Sequence, residues 1–267
     1  MNTPRWAKGS NQYVKRPRLA PPSTPGEDRV LDDLRPDRAR ALWRFRANWD
    51  SMVWSAAMLE GNPYTLPEVR TLIDGYTVGG HTTADTRQVL NLLEANRALY
   101  DLLQAGTFRP DKTTSDRLHT IIASGEAPRT GHFRGEGAAT GGGTVSLGAP
   151  GRYQAPEHGE GGTDLIGLHQ HLVEECAAIN DTRLATSHYF CQATLAQFYF
   201  DGNKRTARMI ANGMLVDAGF DAVFIPAADR AHYNDLLTNM FLYRDEQPMT
   251  DYLLQLSRQT FTDMPGN

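Results

Sequence analysis

The sequence predicts an all-α domain interrupted by one glycine-rich flap. Two observations carry that reading. Apolar residues recur at three- and four-residue steps over most of the chain, which is the spacing of a single helix face. Eleven of the 33 positions from Thr130 to Gly162 are glycine, joined by Pro150 and Pro156, so the helical rhythm stops there and resumes beyond it.

Residues 1–36 read as a basic, proline-containing tail that carries Arg5, Lys8, Lys15, Arg16 and Arg18 together with Pro17, Pro21, Pro22 and Pro25. The domain is expected over 37–258. Leu42, Phe45, Trp49, Met52, Val53, Ala56 and Leu59 predict one helix from about Asp37 to Gly61, where glycine and Pro63 stop it. A second helix starts near Leu66-Pro67-Glu68, a third runs over Asp85–Gln104, and a fourth follows Pro110. Residues 131–162 form the flap, a mobile loop or hairpin in which Thr144-Val145-Ser146-Leu147 resembles a strand. Helices resume at about Thr163–Ile179, Arg183–Gln197, Thr206–Ala218, Ala228–Tyr243 and Met249–Arg258, and 259–267 reads as a C-terminal tail.

Composition narrows the function classes. A length of 267 residues with 40% hydrophobic content suits one large domain or one domain with an appendage. The net charge of −4 disfavours a nucleic-acid binder, and the basic tail alone argues for one. Two cysteines, Cys176 and Cys191, cannot make a disulfide framework and fit a reducing, cytoplasmic setting. No apolar run approaches the ~18 residues of a membrane span, and the tail lacks the apolar stretch of a signal peptide.

Chemistry concentrates in Gln197-Phe198-Tyr199-Phe200-Asp201-Gly202-Asn203-Lys204-Arg205-Thr206-Ala207-Arg208. A helix ends near Gln197, Asp201-Gly202-Asn203 makes a turn, and a new helix opens. A helix N-terminus already carries about half a positive charge, yet this one adds Lys204, Arg205 and Arg208. Backbone amides and three cations converging on one point suit a polyphosphate. Asp201 beside them is a hard oxygen ligand for a phosphate-bound Mg²⁺. Glu60 is misplaced in the opposite sense, a carboxylate at the negative end of a helix. Pairing Glu60 with Arg208 or Arg205 would relieve both.

These residues resemble the Fic family, whose core motif reads His-Pro-Phe-x-Asp/Glu-Gly-Asn-Gly/Lys-Arg-x-x-Arg. Met58-Leu59-Glu60-Gly61-Asn62 resembles the end of the family's inhibitory helix, within 37–61 and ahead of the core motif at 197–208. The resemblance implies a helical Fic-like core whose flap docks a target, and a transferase that moves AMP from ATP onto a protein hydroxyl. By that resemblance Asp201 would hold Mg²⁺, Gly202, Asn203 and Lys204 would cradle the phosphates, and Asn203 and Arg205 would serve the reaction. Arg208 would hold the γ-phosphate or pair with Glu60, and Asn234 would lie near the adenine. Lys204, where many members have glycine, also occurs in a kinase-like branch, so AMP and phosphoryl transfer both stay open.

Two positions depart from the family pattern. Gln197 stands where the family has its catalytic histidine, and the inhibitory motif's Ser/Thr position holds Ala56, with Ser55 one place off. Glutamine has no basic lone pair of useful pKa. It can orient a nucleophile but cannot take its proton, a task typically worth 10²–10⁴-fold. His188 falls roughly 13 Å back along the same helix and reads as a packing histidine, while His169 and His171 on the preceding helix and His132 and His158 flanking the flap read as solvated or structural. Cys191 reads as core.

Three functions remain. The first is a nucleotide-dependent transferase with an acceptor that needs no base. The second is a nucleotide- or phosphate-binding pseudoenzyme or interaction module. The third is a deAMPylase using Glu60, which the lost histidine disfavours. Expected partners are a nucleotide and an acceptor, protein or small molecule, that the sequence does not name. A homodimer is compatible with this reading, and a membrane is not.

Overall fold

In the computed structural model, residues 35–139 and 141–262 are described, with side chains as far as Ser257. The tail expected over 1–36 lies outside these residues except for Arg35 and Pro36. Ten α-helices follow in order: α1 Arg38–Ala47, α2 Trp49–Leu59, α3 Leu66–Ile73, α4 Thr83–Gln104, α5 Lys112–Ile122, α6 Thr163–Ala178, α7 Thr182–Ala196, α8 Asn203–Asp217, α9 Arg230–Tyr243 and α10 Gln247–Thr262. A two-stranded hairpin, β1 Thr144–Ser146 and β2 Arg152–Gln154, lies between α5 and α6. No helix among the described residues is long and apolar enough to cross a membrane.

The centre of the fold is α7. Thirteen of its 15 residues are buried, so it has no solvent face. A helix that is apolar or small-residued all round must be wrapped by others. Here α8, α6 and α10 pack around it. Asp181 caps its start, accepting from the amides of Arg183 at 2.8 Å and Leu184 at 3.4 Å. A smaller apolar cluster, including Val53, Ala57, Val69, Leu72, Val89 and Leu92, fixes α2 and α3 against α4. That cluster sets where the end of α2 comes to rest.

Three expectations are corrected. The single helix over Asp37–Gly61 is broken at Asn48, whose side-chain amide donates to Arg44 O at 2.8 Å. An asparagine that supplies its own backbone-directed hydrogen bond competes with the helix ladder. The segment 259–267 is not all tail, because α10 continues to Thr262. The helix expected from about Thr206 begins at Asn203, which keeps Lys204 and Arg205 in its first turn as expected and puts Arg208 in its second.

The flap takes the hairpin form, with Thr144 opposite Gln154, Val145 opposite Tyr153 and Ser146 opposite Arg152. It is tied down at its base. Arg134 donates to Gln197 O at 2.5 Å, to Ala196 O at 3.1 Å and to Pro156 O at 2.9 Å. The Tyr153 hydroxyl donates to Leu195 O at 2.7 Å. Three carbonyls that would be orphaned at the end of α7 are thus satisfied from the flap. Gly143 is required here, since a Cβ at that position would sit 2.4 Å from the Arg134 guanidinium.

Candidate functional site

The loop between α7 and α8 is built around Asn203. Its Oδ1 accepts from Tyr199 N at 2.8 Å, and its Nδ2 donates to Tyr199 O at 2.9 Å and to Gln197 Oε1 at 3.1 Å. From below, the His119 ring stacks on Tyr199 with centroids 3.7 Å apart and planes 5° off parallel. His119 Nδ1 accepts from Gly131 N, so Nε2 carries the proton and donates to Asp201 O at 2.9 Å. Burial pushes the His119 pKa down to about 4, and the ring is neutral at pH 7. Gly202 has φ +74°, and an added Cβ would meet Ala123 at 3.3 Å and His119 at 3.4 Å, so glycine is needed both for conformation and for space.

Position 197 is the C-cap of α7, with φ 47° and ψ 57°, in the left-handed region. A residue with a Cβ costs roughly 1–2 kcal/mol in that conformation. Strain of this kind is typical of sites whose geometry matters. Gln197 Nε2 donates to Thr194 O at 2.7 Å while Oε1 accepts from Asn203. Its amide is therefore fixed in orientation by neighbours whose own orientations are set by backbone groups.

The helix α8 opens with no side-chain cap and no acid in its first turn. Its N-cap is Gly202, which has no side chain to accept from the first amides. Three cations crowd this end, and two carboxylates meet them. Glu60 Oε1 lies 3.0 Å from Arg208 Nη2, and Glu60 Oε2 lies 3.2 Å from Lys204 Nζ. Arg208 Nη1 also donates to the Tyr233 hydroxyl at 2.9 Å. Burial alone would raise the Glu60 pKa, but Arg208, then Lys204 and Arg205, outweigh it and hold the carboxyl down at about 2. Arg205 instead faces Glu126 in a two-pronged pair at 2.9 and 2.7 Å. Asp201 is exposed and lies 4.0 Å from Arg205, with Oδ1 accepting from Gly202 N at 2.6 Å.

The structure therefore brings together Gln197, Asp201, Gly202, Asn203, Lys204, Arg205, Arg208 and Glu60. Of the two arginines considered for Glu60, Arg208 makes the contact. Asn234 does not join them by any hydrogen bond: it is exposed on α9, and its buried neighbour Tyr233 touches Arg208. Ser55 is buried with its hydroxyl on Ile225 O at 2.6 Å, away from the cations. The other histidines stand apart from Gln197. His188 is buried between Glu246 at 2.8 Å and Glu175 at 3.4 Å. His169 contacts the Tyr189 hydroxyl, and burial lowers its pKa to about 4. His171 pairs with Glu175, His132 with Thr130 O, and His158 with Gly159 O. Cys191 is fully buried, which pushes its thiol pKa well up. Glu126, His119, Tyr233 and Arg134 were not foreseen from the sequence, because none stands in a recognisable spacing.

Among the described residues no group of three or more His, Cys, Asp or Glu side chains converges as a metal site. Asp201 supplies one exposed hard oxygen, which fits a magnesium ion that takes its remaining ligands from phosphate and water.

Comparison with solved structures gives Fic-domain proteins. Fic-1 from C. elegans matches with a TM-score of 0.68 at 21% identity, over 86% of this chain and 66% of that one. A Fic-domain signalling protein from Bacteroides thetaiotaomicron matches with a TM-score of 0.68 at 16% identity, over 84% and 88%. This is the Fic fold. A Fic family protein from Desulfovibrio desulfuricans matches at 0.64 and 18% identity, over 82% of this chain and 66% of that one. The chain thus spans just under two thirds of the length of the solved C. elegans and Desulfovibrio chains. No family model and no curated protein matches the sequence. At these identities the likeness concerns the Fic fold, and the functional reading rests on the side chains.

Proposed function

We propose that this Fic-fold protein is a nucleotide-dependent transferase, moving AMP or a phosphoryl group from ATP, with a cradle held shut by Glu60. The observation that carries the reading is the uncapped start of α8, where Lys204 and Arg208 are both paired to a carboxylate brought in from α2. A partly buried carboxylate straddling two cations occupies the place a polyphosphate oxygen would take. In this reading Gly202, Asn203 and Lys204 receive the phosphates, Arg205 and Arg208 bind their oxygens, and Asp201 holds Mg²⁺. The metal, when bound, neutralises phosphate charge and supports attack at phosphorus. His119 positions the loop and touches no reacting atom.

Incubation of the full chain with α- or γ-labelled ATP, Mg²⁺ and candidate acceptors tests this. Label recovered in a product other than free nucleotide is expected, and it should be lost on Arg205→Ala. A second reading, nucleotide binding without turnover, is favoured by one observation: Gln197 offers no proton acceptor where the Fic motif has histidine. Calorimetric binding of ATP with no labelled product would establish it instead.

A further inference from the structure

The geometry at position 197 points to a class of acceptor. This inference rests on the transferase reading above and deepens it. Gln197 Oε1 already accepts from Asn203, and one Nε2 proton is already given to Thr194 O. What remains is a second N–H beside the loop that cradles phosphate. A neutral N–H donor can hold an anionic oxygen in place, and it cannot remove a proton from a neutral one.

The ionisable side chains in contact with this loop are each engaged elsewhere: Asp116 accepts from the Tyr199 hydroxyl and pairs with Lys112, and His169, against Phe198, bonds the Tyr189 hydroxyl. Both ring nitrogens of His119 are engaged, Nδ1 by the Gly131 amide and Nε2 by the Asp201 carbonyl. Glu60 is spent on Arg208 and Lys204, and Glu126 on Arg205. Asp201 is exposed but is the carboxylate that fits the metal. Hydroxyls of serine, threonine and tyrosine are protonated at pH 7, so each would have to attack without a base. A phosphate monoester or a carboxylate is ionised already.

We infer that the acceptor is an ionised oxyacid, a phosphate monoester or a carboxylate, whose oxygen is held by the free N–H of Gln197. The acceptor O⁻ attacks the α- or γ-phosphorus and forms a new P–O bond. The bond from that phosphorus to its bridging oxygen breaks, and the leaving pyrophosphate or ADP takes the electron pair. No proton changes hands, and the product is an anhydride.

The test uses the full chain carrying Glu60→Gly, with α- and γ-labelled ATP and four probes: inorganic phosphate, a phosphoserine peptide, acetate, and an unphosphorylated Ser/Thr/Tyr peptide. Label should appear on the phosphate probes or on acetate, which separates the two oxyacids, and not on the hydroxyl peptide. Adding Gln197→His should raise hydroxyl labelling by at least about 100-fold, the low end of what a positioned base contributes. Gln197→Glu, nearly the same shape, should abolish oxyacid labelling by placing like charge against the acceptor. Hydroxyl labelling by the Gln197 protein would overturn the inference. So would labelling that Gln197→His confers on hydroxyls when no oxyacid is labelled beforehand, although the transferase reading would survive. Absence of label with every protein and every probe would overturn both.

Discussion

Replacing Glu60 should loosen the fold slightly and tighten its hold on triphosphate. The carboxylate sits 3.0 Å from Arg208 and 3.2 Å from Lys204, with its side chain 16% exposed. A fall in its pKa from 4.5 to about 2 corresponds to about 3 kcal/mol of favourable interaction with its surroundings. A ligand that displaces the carboxylate forfeits up to that amount. Glu60→Gln and Glu60→Gly should therefore bind ATP–Mg²⁺ more tightly by roughly 10- to 100-fold. Glu60→Gln isolates the charge, since Glu60 is also the C-cap of α2 and glycine there would add backbone freedom. Calorimetric titration of ATP, ADP and AMP into each protein measures the effect, and AMP should gain least. The same pairing makes stability pH-dependent. Because the folded pKa is depressed, its contribution is fully present above 4.5 and lost as pH falls towards 2. An unchanged ATP affinity in both variants would refute the displacement argument, whatever happened to stability.

Arg208→Ala should weaken ATP binding by roughly 10- to 100-fold, the loss of a charged hydrogen bond, while affecting AMP far less; equal losses would contradict a γ-phosphate role. Glu126→Gln should cost about 1–3 kcal/mol in urea denaturation, because Arg205 is 4% exposed and Glu126 is its paired carboxylate; unchanged stability would show the pair to be incidental. The charged His188 imidazole is favoured by hydrogen bonds and charge from Glu246 and Glu175, which together raise its pKa against the effect of burial. Its contribution to stability should be complete below pH 6.5 and decline as pH rises through the raised folded value, with Gln192 alongside also bonded to Glu246. A stability profile over pH 6–9 that is the same for His188→Gln and the native chain would exclude this linkage.

The anion cradle was legible because its residues are contiguous. Asp201 to Arg208 span a turn and the start of a helix, so cations against the dipole stand out in one dimension. Glu60 was legible for the same reason, as a carboxylate at the wrong helix end. Its choice of Arg208 over Arg205 was not, because that depends on how the α2–α3–α4 cluster sets the end of α2. Glu126 lies in the loop after α5 with no local anomaly, and only the packing of α5 on α8 gives it a partner. His119 is similar: a histidine on an amphipathic helix carries no sign that its ring will support Tyr199. The break at Asn48 turned on one side-chain amide reaching Arg44 O, which an apolar stripe running straight through the position concealed. The expectation for Asn234 came only from the family resemblance; on α9 it is exposed beside the buried Tyr233, which bonds Arg208.

One side chain ties two parts of the molecule that sequence keeps more than 60 residues apart. The Arg134 guanidinium binds Pro156 O at the base of the hairpin as well as the last carbonyls of α7, so the two share one anchor. Truncation of that one side chain, as in Arg134→Ala, would remove the shared donor of the Gln197, Ala196 and Pro156 carbonyls together.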